Sequence, residues 1–237
     1  MSIKAVLFDL DGTLLPMDQD TFVKAYFTGL ATKLTPHGYD PKQLIDAVWG
    51  GTMAMIKNDG SKSNEAVFWE FFLQIYGEKA SNDMIHFEEF YKTDFQKVKE
   101  VCGFESQASV LINKIKKADI PVVVATSPIF PAIAIASRIK WAGLSPDDFE
   151  FYTSYENINY SKPNPEYYAE IGRRLGVNPE ECLMVGNDVG DDMVARKIGM
   201  QVFLLTDNLI NKKNEDISQF PNGNYEALFK HIDNILS

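Results

Sequence analysis

What most constrains this chain is a recurrence of short apolar runs separated by helical patterns. The first run, Lys4 to Phe8 (KAVLF), ends in an acidic, glycine-containing turn and reads as a strand buried on both faces. Similar runs follow at Pro121 to Ala125 (PVVVA), Phe149 to Tyr152 (FEFY), Cys182 to Val185 (CLMV) and Gln201 to Leu205 (QVFLL). Helical patterns accompany them: Gln107 to Lys117 with Val110, Leu111 and Ile115 on one face, Pro131 to Trp141, Glu166 to Leu175, and Asp191 to Ile198 ended by Gly199. Strands alternating with helices at these lengths predict an α/β fold whose parallel sheet carries helices on both sides. In such sheets chemistry sits at the carboxyl ends of the strands.

The stretch from about Met17 to Val98 breaks this rhythm. Phe22, Tyr26, Leu30 and Leu34 repeat every four residues; Val67, Phe68, Phe71, Phe72 and Ile75 form a second face, and Met84, Phe87, Tyr91, Phe95 and Val98 a third. These patterns predict an all-helical insertion that leaves near Leu15-Pro16 and returns near Gly103. The expected division is a core of residues 1–16 and 100–237 with an inserted unit of 17–99, which suits a chain of 237 residues.

Charge and cysteine content narrow the partners. A net charge of -10 repels phosphate backbones and anionic membrane surfaces, so neither a nucleic acid nor a membrane is expected, and any anionic substrate needs local positive charge. Cys102 and Cys182 stand far apart with no Cys/His cluster, which reads as two buried free thiols. The run at Met1 to Phe8 is shorter than the ~7 to 15 residues of a secretory apolar region. The most membrane-like window, Ile120 to Ile139, is interrupted by Pro121, Pro128 and Pro131 and reads as strand, turn and helix. The expected location is the cytoplasm.

The first run closes on Asp9-Leu10-Asp11-Gly12-Thr13. Strand period two places Asp9 and Asp11 on one side, and two adjacent like charges demand a cation. This segment resembles the first motif, Asp-x-Asp-Gly-Thr, of the haloacid dehalogenase-like hydrolase superfamily. The other motifs follow in order. Thr126 ends a hydrophobic strand in Val122-Val123-Val124-Ala125-Thr126-Ser127; Lys162 opens a turn before a helix in Ser161-Lys162-Pro163-Asn164-Pro165; an acidic cluster follows a strand in Gly186-Asn187-Asp188-Val189-Gly190-Asp191-Asp192.

The resemblance implies a Rossmann-like core with an inserted helical cap of the type called C1. It further implies Mg2+-dependent hydrolysis of a small phosphorylated metabolite through an aspartyl phosphate. Asp9 is then the nucleophile and Asp11 the proton shuttle, the feature associated with phosphoryl rather than carbon-halogen chemistry. Thr126, Ser127 and Lys162 bind the transferring phosphoryl group, with Thr126 and Lys162 counted in the catalytic set. Asp9, the Asp11 carbonyl and Asp188 hold the metal. Asn187 departs from the commoner Gly-Asp form of the last motif; its amide oxygen brings no charge, which favours Asp188 as ligand, while Asn187 remains the alternative. Asp192, one helical turn beyond Asp188, is expected to support Lys162, with Asp191 in reserve. An Asp11→Asn change is expected to leave folding nearly unaffected.

Two other readings stay open. A sugar phosphomutase uses the same intermediate but returns the phosphoryl group to sugar. A non-catalytic phospho-acceptor module, similar to response-regulator receivers, would be shorter and lack the insertion. The histidines His37, His86 and His231 lie in separate segments and read as surface or core residues. The aromatic stripes read as packing faces, and the loop Lys57 to Ser61 as a solvated turn. Substrate identity and oligomeric state are not legible.

Overall fold

The computed structural model describes residues 2–236; Met1 and Ser237, the outermost residues of the expected core segments, lie outside this range. Its centre is a six-stranded parallel sheet of β1 (Ala5–Phe8), β2 (Val122–Val124), β3 (Phe151–Tyr152), β4 (Cys182–Gly186), β5 (Gln201–Leu205) and β6 (Asn222–Gly223), in the order β3-β2-β1-β4-β5-β6. Five strands are the apolar runs of the sequence. The third is shorter than the run that announces it, and β6 is a two-residue edge strand with no apolar pattern, formed because it pairs with Leu204 and Leu205. Phe8 stands opposite Val124 on one side and Val185 on the other. The chain therefore leaves β1, β2 and β4 at one level, which gathers the segments after them at one edge of the sheet.

Strand alternation splits the core in two. Val6, Phe8, Val122, Val124, Leu183 and Val185 face one helix layer, and Ala5, Leu7, Val123, Cys182 and Met184 face the other. The first layer holds α5 (Ser106–Lys116), α6 (Ala132–Trp141) and α8 (Tyr225–Leu236), the second α7 (Pro165–Leu175). In α5 the buried face is Ala108, Leu111, Ile112 and Ile115, while Val110 is exposed, so the expected face is rotated. A helix side chain one residue off the stripe points about 100° away from it. Residues 120–139 form β2, a loop and most of α6, and no helix among the described residues is long and apolar enough to cross a membrane. Cys182 is buried and Cys102 half-buried, both free.

Between β1 and β2 run α1 (Gln19–Leu34), α2 (Pro41–Ile56), α3 (Asn64–Tyr76) and α4 (Glu78–Lys92), with no strand among them. Local chemistry starts each of the first three. The Asp18 carboxylate accepts from Thr21 N at 2.8 Å, Asp40 from Gln43 N at 2.9 Å ahead of Pro41, and the Ser63 hydroxyl from Ala66 N at 3.2 Å. Phe22, Tyr26, Leu30 and Leu34 are buried as their spacing predicts, as are Phe68, Phe72, Phe87 and Phe95; Ile75 and Met84 lie at the surface. The outgoing and returning chains run side by side, with Gly103 N donating to Pro16 O at 2.7 Å.

Candidate active site

Lys162 is the anchor of the site. Its side chain is 1% exposed and its ammonium donates to Asp9 Oδ1 at 2.8 Å and to Asp192 Oδ1 at 2.6 Å. Burial opposes the charged amine, but the carboxylates of Asp192 and Asp9 overcome that cost and hold its proton affinity well above that of an ordinary lysine. Burial likewise pushes the Asp192 carboxyl up, with Lys162 pulling it back. Local sequence places the lysine: Asn164 caps α7 by accepting from Glu166 N at 3.0 Å, and Pro165 opens the helix, so Lys162 lies in the turn that enters it. Tyr167 and Tyr168, both fully buried, close the site from behind.

Asp192 does not reach Lys162 by helical stacking. The expected helix from Asp191 begins later, as a tight 3-10 segment over Met193–Ile198, and Asp192 lies in the preceding turn. Its Oδ2 accepts from Asp188 N at 2.9 Å. A Cβ on Gly186 would fall 2.1 Å from that same Oδ2, so the carboxylate approaches because residue 186 is glycine.

Asn187 packs against the first motif. The Thr13 hydroxyl lies 3.3 Å from Asp9 Oδ2 and 3.2 Å from Asn187 Oδ1, and Asn187 Nδ2 donates to Asn208 O at 2.6 Å. Gly12, at φ +84°, leaves the space; a Cβ there would meet Asn187 Nδ2 at 2.3 Å. Asp188 folds its own turn, its Oδ1 accepting from Gly190 N at 2.7 Å and Asp191 N at 3.0 Å, which leaves Oδ2. Among the described residues no three Asp, Glu, His or Cys side chains gather as a metal cluster. Oxygens remain on the motif residues at Asp9 Oδ2, Asn187 Oδ1, Asp188 Oδ2 and the Asp11 carbonyl, and the Thr13 hydroxyl brings the first two of these together. All are hard oxygens, a set that suits Mg2+ rather than a thiophilic ion.

Thr126 follows β2 and is 1% exposed. Its carbonyl accepts from the Thr153 and Tyr167 hydroxyls, each at 2.8 Å, which pins the turn. Ser127, Lys162, Asp11 and Asp191 line one end of a cavity of about 660 Å³, and Tyr26 and Trp69 belong to its helical wall. Burial and the neighbouring Asp188 raise the Asp191 carboxyl.

Asp11 brings in a residue that the motif reading missed. Strand period ends with β1 at Phe8, and beyond it partners decide direction: Asp9 turns to Lys162, whereas Asp11 Oδ2 accepts from Nη1 of Arg138 in α6. Burial pushes the Asp11 carboxyl up against the pull of the Arg138 guanidinium, and the Asp9 charge adds to the rise. A signal for Arg138 was present, because it lies four residues from Ala134 and Ala142 and three from Ile135, on the buried stripe of α6. The loop before α3 is also more than a solvated turn. Asn64 is fully buried with Nδ2 at 3.2 Å from Ser161 Oγ, and Asn159 Nδ2 donates to Gly60 O at 3.1 Å, which docks this loop on the segment carrying Lys162. His37 and His86 stack with ring centroids 3.5 Å apart, outside the cavity lining.

A family model of haloacid dehalogenase-like hydrolases matches residues 3–199, and the chain belongs to that family. It is 28% identical over 204 residues to the N-acetylmuramic acid 6-phosphate phosphatase of Pseudomonas aeruginosa, covering 84% of this chain and 80% of that one. Hexitol phosphatase A of Escherichia coli is 26% identical over 186 residues, covering 78% and 74%. The crystal structure of YfnB from Bacillus subtilis bound to magnesium shares the fold at a TM-score of 0.58 and 16% identity, covering 98% of this chain and 100% of that one.

The Asp11–Arg138 pair overturns the expectation that Asp11→Asn is silent for folding. The substitution leaves a fully buried guanidinium without its counter-charge, and stripping a buried ion pair of one partner costs ~3 to 5 kcal/mol. An amide oxygen still accepts a hydrogen bond, so the expected loss is on the order of 2 kcal/mol. Urea unfolding followed by circular dichroism measures it, and a midpoint equal to that of the unsubstituted protein refutes it.

Proposed function

We propose that this phosphatase of the haloacid dehalogenase-like family hydrolyses a small soluble phosphate monoester through an aspartyl phosphate on Asp9, with Mg2+ as cofactor. The observation that carries this reading is the buried Lys162 ammonium shared between Asp9 and Asp192, beside Asp11 and on the lining of a cavity of about 660 Å³. A carboxylate attacks a phosphate dianion only where anion repulsion is cancelled, and Lys162 supplies a fixed positive charge at the attacking oxygen's own carboxyl group. Asp9 forms the new bond to phosphorus as the bond to the ester oxygen breaks, and Asp11 gives its proton to the departing alkoxide. Asp11 then takes a proton from the water that attacks phosphorus, which releases phosphate and restores Asp9. Thr126 and Ser127 donate hydrogen bonds to the transferring group from the pinned turn after β2. Asp9, the Asp11 carbonyl and Asp188 Oδ2 would hold Mg2+, with Asn187 Oδ1 as the competing donor, and the ion would neutralise charge on the phosphoryl oxygens. The magnesium in the YfnB structure and the sugar-derived phosphates named for two relatives support the cofactor and the small-metabolite class.

Residues 17–99 would act as a cap that closes over the substrate, excludes water and selects the leaving group. The hydrogen bonds of Gly60 with Asn159 and of Asn64 with Ser161 support this, because they tie the helical segment to the loop that carries Lys162.

Four tests bear on the proposal. Asp9→Asn is expected to abolish phosphate release in a preparation free of contaminating phosphatase and of deamidation; near-normal turnover removes Asp9 as nucleophile. Release of free phosphate, rather than isomerisation of a sugar phosphate, separates hydrolysis from mutase chemistry in the same assay. In a Mg2+ titration of activity, Asp188→Ala is expected to raise the metal requirement sharply and Asn187→Ala only mildly, and the reverse order reassigns the ligand. Folded variants of Tyr26 or Trp69 are expected to change substrate ranking across a metabolite panel more than they change hydrolysis of p-nitrophenyl phosphate, whereas equal losses on every substrate contradict a selecting cap.

A further inference from the structure

Arg138 lies within α6 with none of its surface exposed. A guanidinium stays protonated at every ordinary pH, so its burial demands a counter-charge. Asp11 provides it through Oδ2. The rings of Phe130 and Phe22 flank the cation, with centroids 4.5 Å and 5.7 Å from its central carbon. The pair is otherwise poorly satisfied: Arg138 Nε and Nη2 and Asp11 Oδ1 are all buried without a partner among the described residues.

Stability does not account for this arrangement. Replacing a buried ion pair by packed apolar side chains is commonly neutral or favourable, and each unpartnered buried donor adds a further desolvation penalty. What the pair does achieve is orientation. A free aspartate side chain turns about two bonds and offers either oxygen. Here the two rings hold the guanidinium and the guanidinium holds Oδ2, so the carboxyl group keeps one orientation. Asp11 lines the cavity and Arg138 does not, so the arginine reaches the reaction through Asp11 alone.

We infer that Arg138 is a positioning residue, which holds Asp11 by Oδ2 and so fixes the orientation in which the Asp11 carboxyl group meets first the departing ester oxygen and then the attacking water. The inference rests on the reading above in which Asp11 moves the proton. It also accounts for the cost of the clamp, since a carboxylate misplaced by about 1 Å forfeits on the order of 10²-fold in rate.

A double-variant cycle tests it with p-nitrophenyl phosphate and Mg2+, using Arg138→Met, Asp11→Asn and their combination, each checked for folding by circular dichroism. The phenolate leaves without needing a proton, so Asp11→Asn retains a measurable residual rate. Arg138→Met is expected to lower kcat by about 10 to 10²-fold with KM within about twofold, and to cause no further loss in the Asp11→Asn background. Arg138→Lys, which keeps a cation but loses the planar fork, is expected to retain an intermediate kcat. An Arg138→Met protein with unchanged kcat overturns the inference, as does a loss of equal size in both backgrounds, the outcome a purely structural role produces. If Arg138→Met does not fold, the same cycle is run with Arg138→Lys under the same criteria. Asp9→Asn and Asp11→Asn proteins that turn over normally would instead sink the phosphatase mechanism, a failure separable from that of Arg138.

Discussion

A buried ammonium between two carboxylates organises this molecule. Lys162 cannot lie 1% exposed unless Asp9 and Asp192 come to it, and those residues belong to segments far apart in the chain. Their meeting requires β1 and β4 to be neighbours in register, glycine at 186 so that the Asp192 carboxylate fits, and a helix start at Asn164 that delivers the lysine from the opposite layer. The sheet order and the local turns thus answer to one electrostatic demand. Neutralising a buried charge in a medium of low polarity is among the largest local energies available to a fold.

The Asp-x-Asp pair of the first motif is served by two cations from opposite helix layers. Lys162 enters ahead of α7 and takes Asp9; Arg138 comes from α6 and takes Asp11. The division gives each of two neighbouring carboxylates its own counter-charge. One carboxylate lies beside an ammonium whose proton is held more tightly than usual, and the other beside a planar guanidinium. Side chains from helix layers on both faces of the sheet therefore meet beyond its strand ends, where parallel sheets with helices on both sides commonly place their chemistry.

The helical segment adds the third wall. Its aromatic interior is continuous with the cavity that begins at Asp11 and Lys162, and Asn64 links it to Ser161 by a buried hydrogen bond. A polar latch of this kind is geometrically demanding, because a buried amide left unpaired is costly. The position of α3 over the site is thereby tied to the position of the lysine loop, and motion of one is expected to be felt by the other.

Much of this was legible in the chain itself. Five of six strands and the helical character of the stretch between β1 and β2 follow from apolar periodicity, because burial on two faces leaves continuous apolar runs and burial on one face of a helix leaves a stripe. The carboxylates, the lysine and the acidic turn announced themselves as charged residues at predicted strand ends. What the sequence did not contain was partnership. Arg138 was not singled out, the two residues of β6 carried no apolar pattern, Val110 was placed on the apolar face of its helix, and Asp192 in a helix rather than in the turn where it lies. Each depends on contacts between segments separated by tens to hundreds of residues: Arg138 is 127 positions from Asp11, and Asn64 is 97 from Ser161. Periodicity records which way a side chain faces within its own element, while the identity of its neighbour is set only when the elements pack, and that is where a buried charge finds the group that makes its burial possible.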